Sequence, residues 1–471
     1  MPDRLSRLDR SFLAYETPVS HMHIAGTATF EAGALRLPEG AVDIARIRAY
    51  VESRLPRIPR YRQVVSHTPL GIPIWLDDAH FQIEYHVRHT SLPPPGDEQQ
   101  LKALCGRVCS QALDRTRPLW ELWIVDRVAG GERFGFISKV HHAMVDGVRS
   151  VDLIEALLTP APVAQFEAAP QWAPRPAARA TQLALEDLVS LLGAPLDLAR
   201  RAPALLAEAR HTGSDLRAAV RGLASLAFKT LRHPSETPLN KPIGPHRRFD
   251  WLATDLAELQ AVRRSLGGSV NDVVLATVTG AVRRFLEHRG VRPEGVVFRV
   301  MAPVSVAERA GRADALGNHV GAWMVPLPIG EPDPRERLAA IRRTTLRLKE
   351  ERNALGVQLF AEMTGWAPAA LLSLGARLGQ RNLPFNMVVT NVQGPQQPLY
   401  LLGARMLDYY GLVPLTDYLG LGVVIFSYAG RLYWGFNADW DLVPDVDVFA
   451  RAVEAAFGEL RELARAASTD S

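Results

Sequence analysis

Between residues 134 and 158 the chain runs from an apolar stretch through two adjacent histidines and an aspartate-glycine pair into a second apolar stretch. No other part of the sequence restricts the fold as much. Residues 134–140 follow the turn-forming pair Gly130-Gly131 and are short and mostly apolar, as expected of a buried strand. Residues 150–158 place leucine and isoleucine at helical spacing behind a capping serine, Ser150, which leaves Asp146-Gly147 as the turn between strand and helix. The loop at the strand end thus collects His141, His142, Asp146 and Gly147. Adjacent strand residues point to opposite faces, so the two imidazoles cannot serve one point unless the strand has already broken. One ring is expected to pack inward. The other is expected to face a cleft with a near-neutral pKa, uncharged at physiological pH and able to accept a proton, which is worth about 10²–10⁴-fold in rate. The same spacing also fits two core histidines beside an aspartate turn. A shared metal site fits less well, because neighbouring imidazoles diverge and no third ligand stands close by.

A chain of 471 residues is long for one core and is expected to form two domains or two pseudo-symmetric halves, which an apolar content of 47% can fill. Its 34 prolines and 35 glycines are near ordinary usage, so the composition is that of a globular protein rather than a disordered or fibrous one. A net charge of +4 and a pI near 9.1 weakly favour an anionic surface or substrate and do not indicate nucleic acid. Residues 1–7 run straight into charges, and no apolar run of about 18 residues occurs, so neither a secretory signal nor a transmembrane helix is expected. The expected location is the cytoplasm. Cys105 and Cys109 lie in a helix-like stretch and are expected to be core residues, too few for a disulfide framework or a structural zinc site.

Along the chain, residues 20–30 read as a strand with His21 and His23 on one face. That spacing is open to a metal but is more common at a strand edge near a cleft, and no companion ligand cluster is visible. Residues 41–55 and 98–114 read as helices, 69–88 as two extended pieces, and 118–126 as a strand leading toward the histidines, its tryptophans expected to pack. From about 160 to 244 the character changes to a proline- and alanine-rich linker, then to leucines and alanines at helical spacing with Arg200, Arg201, Arg210, Arg217, Arg221, Lys229 and Arg232 interspersed. This reads as a helical crossover. Such a basic amphipathic helix suits an anionic lipid surface, and equally a solvated helix packed across two halves. Beyond 245 a helix begins near Leu256 and is broken by Gly267-Gly268. A second helix follows behind the cap Ser269, with Asn271 and Asp272 in its first turn, where a carboxylate favours the helix dipole. Residues 297–305, 387–392 and 422–427 read as buried strands and 447–467 as the last helix. Mixed elements in this order suit a layered α/β sandwich.

Residues 141–147 match the pattern HHxxxDG. Around it, in order, stand residues 8–13 with His21-Met22-His23, Pro118-Leu119-Trp120-Glu121, Asn271-Asp272 with the following 273–276, Thr390-Asn391-Val392-Gln393-Gly394-Pro395, and Pro398-Leu399-Tyr400. With these motifs the chain resembles, over nearly its full length, the bacterial wax ester synthase/acyl-CoA:diacylglycerol acyltransferase family. HHxxxDG alone is shared with chloramphenicol acetyltransferase-like enzymes and peptide-synthetase condensation domains, and the Pro-Leu-Trp and Asn-Asp motifs narrow the choice. The resemblance implies a mixed α+β sandwich of two chloramphenicol acetyltransferase-like halves, residues 1–160 and 245–471, joined by the linker and crossover at 161–244. It implies a reaction centre between the halves, in a tunnel that admits acyl-CoA from one side and the acceptor from the other. No second HHxxxDG occurs, so the halves are not chemically equivalent.

The activity implied is transfer of a long-chain acyl group from acyl-CoA, as co-substrate, to a fatty alcohol or diacylglycerol, with no other cofactor and no metal. Direct transfer is favoured over an acyl-enzyme, because no serine stands in a nucleophile-elbow pattern and neither cysteine has a motif setting. His142 is the expected base, His141 a structural or secondary member, and Asp146 a loop-fixing residue paired with an arginine. Asn271 is the expected amide donor to the oxyanion, and Gly147, Pro118, Leu119, Trp120 and Asn391 the expected substrate contacts. Gln393 stands where the family often has proline, which predicts a looser backbone around Asn391. A peripheral association with the inner membrane face or lipid inclusions fits the basic segment. Three other readings share these residues: an acyltransferase fed by a carrier-protein arm, a non-catalytic acyl-lipid-binding protein, and a metal-dependent hydrolase. Acceptor and chain length depend on pocket shape, since each methylene is worth only about 1 kcal/mol.

Overall fold

The computed structural model describes residues 3–144, 153–176, 179–189, 234–305, 320–350 and 383–469. Two six-stranded sheets organise them. In the first, the strands lie in the order Tyr400–Leu401, Ala404–Leu412, His23–Glu31, Arg133–His141, Trp120–Val128 and Val87–Ser91. Only Val87–Ser91 runs parallel to its neighbour. In the second, the order is Val320–Leu327, Phe298–Ser305, Met387–Gln393, Leu421–Tyr428, Arg431–Asp439 and Arg247–Asp255. Here Met387–Gln393 is parallel to both neighbours and the other pairs are antiparallel. Both sheets are thus mixed, and helices cover them in a layered α/β arrangement.

Local chemistry accounts for the main elements. Phe134, Phe136, Ile137 and Val140 are all buried in Arg133–His141, which therefore reads as an almost unbroken apolar run rather than an alternating one. Helix Glu98–Ser110 starts in a capping box between Asp97 and Gln100 and buries Cys105 and Cys109 as free thiols. It stops four residues before the end expected from sequence, at Ser110 rather than 114. Helix Val270–His288 follows Gly267 and Gly268, both at positive φ, and is closed by a second box: the Asp272 amide donates to Ser269 Oγ (3.2 Å) and the Ser269 amide to Asp272 Oδ2 (2.7 Å). Thr345 donates to the other Asp272 oxygen at 2.7 Å, so both oxygens of this carboxylate have structural partners.

Three expectations change. The stretch 69–88 contains strand Pro73–Asp77, paired with Gln63–His67, then a helical turn, Ile83–His86, and only the first two residues of strand Val87–Ser91. Strand His23–Glu31 starts three residues late, so His21 stands outside it. The third concerns a strand that crosses the position expected as a boundary, 245. Strand Ala404–Leu412 leaves the C-terminal part of the chain and pairs antiparallel with His23–Glu31 in the first sheet. The first core accordingly includes Phe249, Trp251, Tyr428 and Tyr433 beside Phe30, Trp120 and Phe134. A hydrophobic pattern read locally assigns a strand to its own half, but backbone pairing and burial decide which sheet receives it. Of the expected crossover, residues 180–189 are helical, and the seven cations from Arg200 to Arg232 lie outside the described residues.

The sheets meet along Ala404–Leu412. Tyr428 Oη donates to the Met406 carbonyl (3.0 Å), Tyr433 Oη to Leu407 (2.9 Å) and Asn437 Nδ2 to Val413 (2.7 Å). Gly435 lies against Gly411, where an added Cβ would stand 2.1 Å from the Gly411 carbonyl oxygen and 3.2 Å from its carbon. Neither atom belongs to a flexible side chain. Gly435→Ala is therefore expected to lower stability by about 1–3 kcal/mol or more through overpacking, read as a lower urea midpoint; an unchanged midpoint would show that the sheets separate there without cost.

Candidate active site

Strand Arg133–His141 ends in a single turn, His142–Met144, and the break is what lets two adjacent imidazoles differ. Their backbones are held from opposite sides. The His141 amide donates to the Leu119 carbonyl at 2.9 Å, and the His142 amide to the Met22 carbonyl at 2.7 Å. The Pro-Leu-Trp and His-Met-His segments therefore act here as clamps on the histidine strand. Pro118, Leu119 and Trp120 are buried, the last two at 1% and 0% exposure. Trp120 donates its indole N–H to the Tyr61 carbonyl at 2.8 Å and stacks on His86. These three side chains, expected from sequence to contact substrate, are buried, with Trp120 opening strand Trp120–Val128, which is covered on both faces.

His141 is 1% exposed. Its Nδ1 accepts the Ala143 amide at 3.1 Å, which fixes the proton of the neutral ring on Nε2. That nitrogen stands 3.7 Å from Glu16 Oε2. Burial drives the His141 pKa down to about 4, against the pull of the Glu16 carboxylate. His142 is half-buried and stacks on Phe12 of helix Arg7–Tyr15, with ring centroids 3.9 Å apart and planes at 25°. Its Nδ1 is buried without a hydrogen-bonding partner among the described residues. Burial lowers its pKa below 6.5, and its own backbone opposes that shift in part. The near-neutral value expected from sequence is thus displaced downward in both rings, because desolvation penalises the imidazolium. Both imidazoles are uncharged at neutral pH.

Glu16 is the residue that sequence reasoning missed. Burial alone would raise its pKa, but His21, Arg115 and His141 around it hold the carboxyl at about 2. Arg115 makes a close ion pair with Oε2 and donates to the Leu13 carbonyl at 3.4 Å. Phe12, Glu16 and Arg115 carry no local signal beyond the motif-like opening at 8–13, since Phe12 meets His142 and Glu16 meets Arg115 and His141 across a hundred or so positions of chain. Asp146 and Gly147, and with them the expected pairing of Asp146 with an arginine, lie outside the described residues. Asn271 sits half-buried in the first turn of Val270–His288, on the second core, and Asn391 half-buried on Met387–Gln393, opposite Ile425. Neither is hydrogen-bonded to the histidines among the described residues. The looser backbone expected at Gln393 is not seen: Gln393 pairs with Ser427, and the Gly394 amide donates to Ser427 Oγ at 3.2 Å.

Comparison with known proteins follows the same geometry. Residues 5–274 match the Wax ester synthase/diacylglycerol acyltransferase catalytic domain, and residues 316–461 the WS/DGAT C-terminal domain. A Mycobacterium tuberculosis (strain ATCC 25618 / H37Rv) protein named "Probable diacyglycerol O-acyltransferase tgs1" is 31% identical over 469 residues, covering 97% of this chain and 96% of the relative. Among solved structures, the wax ester synthase/diacylglycerol acyltransferase from Marinobacter aquaeolei VT8 matches with a TM-score of 0.68 at 25% identity, over 98% of this chain and 100% of that one. The first condensation domain of the calcium-dependent antibiotic synthetase matches with a TM-score of 0.55 at 15% identity, over 98% and 96%. The latter shares the fold alone.

The depressed His141 pKa makes stability depend on pH. Between about 4 in the folded chain and the ordinary 6.5 of an unfolded histidine, the unfolded state binds more protons. The contribution is complete above 6.5 and is lost as the pH falls toward about 4. His141→Asn keeps an acceptor for the Ala143 amide and removes the titration. Its melting temperature is expected to fall less steeply than that of the native chain across this window; parallel slopes would show that His141 does not contribute.

Proposed function

Because the chain belongs to the wax ester synthase/diacylglycerol acyltransferase family, whose catalytic-domain and C-terminal-domain matches together span most of it, we propose that it transfers a long-chain acyl group from acyl-CoA to a fatty alcohol or diacylglycerol, with His142 as the base. The observation that supports this role is the half-buried, uncharged His142 ring at the end of its strand, its plane set by Phe12. With Nδ1 buried, Nε2 is the nitrogen that meets the acceptor hydroxyl. It takes the hydroxyl proton as the oxygen attacks the thioester carbon. The tetrahedral oxyanion collapses, the carbon–sulfur bond breaks, and the thiolate of coenzyme A takes the proton from the imidazolium. Asn271 serves as a donor to the oxyanion, aided by the positive end of its helix. Asp146 and Gly147 shape the loop after the base, and Asn391 lies along the substrate path. A pKa below 6.5 makes His142 a weaker base than a free imidazole but keeps it unprotonated across the physiological range.

Purified protein supplied with a long-chain acyl-CoA is expected to release coenzyme A only when a fatty alcohol or diacylglycerol is added, and the ester is expected by mass spectrometry. Acceptor-independent release, or none with either acceptor, removes this reading. His142→Ala is expected to lose about 10²–10⁴-fold in turnover while still binding acyl-CoA, because a base acts on the transition state more than on ground-state affinity. A full-rate His142→Ala enzyme would move the base elsewhere.

We further propose that the protein works at a lipid surface. No helix among the described residues is long and apolar enough to cross a membrane. Helix 180–189 turns Leu183 and Asp187 inward, the latter 2.8 Å from Arg4, and leaves Leu185, Leu188 and Val189 at 63%, 50% and 63% exposure. This exposed apolar stripe leads into the seven cations of the segment from Arg200 to Arg232. Apolar insertion beside cationic attraction is the composition of a peripheral lipid anchor. The protein is expected to float with anionic vesicles at low salt and to be released at high salt; equal recovery with neutral vesicles at both salt levels would remove the electrostatic part.

A further inference from the structure

The connection between helix Arg7–Tyr15 and strand His23–Glu31 carries Glu16, His21 and His23, each offering one ligand atom, and these atoms all lie within 4.8 Å of one another. Glu16 Oε1 stands 3.7 Å from His21 Nδ1 and 3.6 Å from His23 Nε2. Those separations exceed a hydrogen bond. They are near the spacing of about 3.3–3.5 Å that a tetrahedral ion with bonds of about 2.0–2.1 Å imposes on its donors. His23 is 3% exposed, and neither of its ring nitrogens has a hydrogen-bonding partner among the described residues. Leaving a buried polar group unsatisfied is costly, so this imidazole requires an explanation that acyl transfer does not supply.

We propose that Glu16, through Oε1, His21, through Nδ1, and His23, through Nε2, bind a zinc-class divalent cation beside the histidine pair. Two imidazoles and one carboxylate select such an ion over calcium or magnesium, which prefer oxygen donors. Three protein ligands leave a fourth position for water. Glu16 divides its oxygens: Oε1 faces the two imidazoles, while Oε2 is paired with Arg115 and stands 3.7 Å from His141 Nε2, partners that orient the carboxylate as an outer shell does. The connection is held in shape by its own bonds. Thr17 and Ser20 exchange backbone hydrogen bonds of 2.9 and 3.2 Å, and Ser20 Oγ donates to the Leu415 carbonyl at 2.9 Å. The rings of His21 and His23 lie stacked with centroids 5.1 Å apart. The His21 and Glu16 side chains each keep 11% of their exposure, a route for an ion from solvent that does not cross the core. The proposal goes beyond acyl transfer and does not depend on it, since the ion takes no step in that reaction.

The test uses the full chain, stripped with a chelator and desalted, then titrated with zinc against a chromophoric competitor at neutral pH. One tight equivalent per chain is expected, with a zinc-dependent rise in melting temperature. His21→Ala, outside the strand and partly exposed, is expected to keep the zinc-free melting temperature of the native chain. Its zinc affinity is expected to fall by more than about 100-fold, since outer-shell losses alone cost about 10–100-fold. Glu16→Gln checks the carboxylate in the same assay. Absence of a stoichiometric tight site in the native chain, or equal affinity in His21→Ala, would overturn the assignment, the second outcome marking zinc held elsewhere on the chain.

Discussion

Strand Ala404–Leu412 hydrogen-bonds along the flank of His23–Glu31, and the position of the histidine pair depends on that contact. Without it, His23–Glu31 would be a bare sheet edge, with unpaired backbone groups along the strand that registers Arg133–His141. The pairing sets His23 opposite His141, and the carbonyl of the preceding Met22 receives the His142 amide. A segment from beyond residue 400 thus supports the histidine pair and the neighbours Phe12, Glu16 and Arg115 that the first part of the chain gathers around it. The cost of this arrangement is close packing: glycine stands at Gly435 because a Cβ there would meet the Gly411 backbone, and at Gly411 a Cβ would stand 2.6 Å from the Val424 side chain.

A second connection between the halves has a different chemistry. Helix Glu98–Ser110 lies against strand Arg247–Asp255, where Lys102 reaches Asp250 at 2.6 Å and the Trp251 ring, and the Arg247 amide donates to Ser110 Oγ at 2.8 Å. The same helix anchors the histidine strand from beneath. Lys139, fully buried, donates to the carbonyls of Val108 and Gln111 and pairs with Glu121 at 3.3 Å. An unpaired ammonium at that depth would be strongly unfavourable, so these partners are obligatory. Together they tie the strand of the site, the helix beneath it and the second sheet into one packed body.

Burial also sets the chemistry of the imidazoles. Desolvation lowers the pKa of His23, His141 and His142 alike, so the site holds uncharged rings around one buried carboxylate. Glu16 stays ionised because its positive neighbours outweigh its burial. The result is a group of neutral imidazoles beside a single carboxylate whose charge is paired with Arg115. Fold similarity to a condensation domain at 15% identity shows that this sandwich is not confined to one kind of protein, so the architecture by itself does not identify the acceptor.

Sequence alone determined the features whose causes lie within a few residues. The strand that ends at the histidines, the Ser269 cap with Asp272 in its first turn and the buried cysteines follow from periodicity and capping chemistry, and the ordered motifs carry the resemblance to the family. Tertiary structure alone decided that His141 enters the core while His142 stays half-buried against Phe12, since adjacent residues carry the same local signal. It decided that the Pro-Leu-Trp segment clamps backbone and fills core, that Ala404–Leu412 belongs to the first sheet, and that Glu16 gathers His21, His23 and Arg115. In these cases the deciding contacts depend on chain folded back from elsewhere or on what covers a residue. Local patterns specify which face of an element is apolar, but sheet register and burial, which depend on the whole packed chain, specify what that face meets.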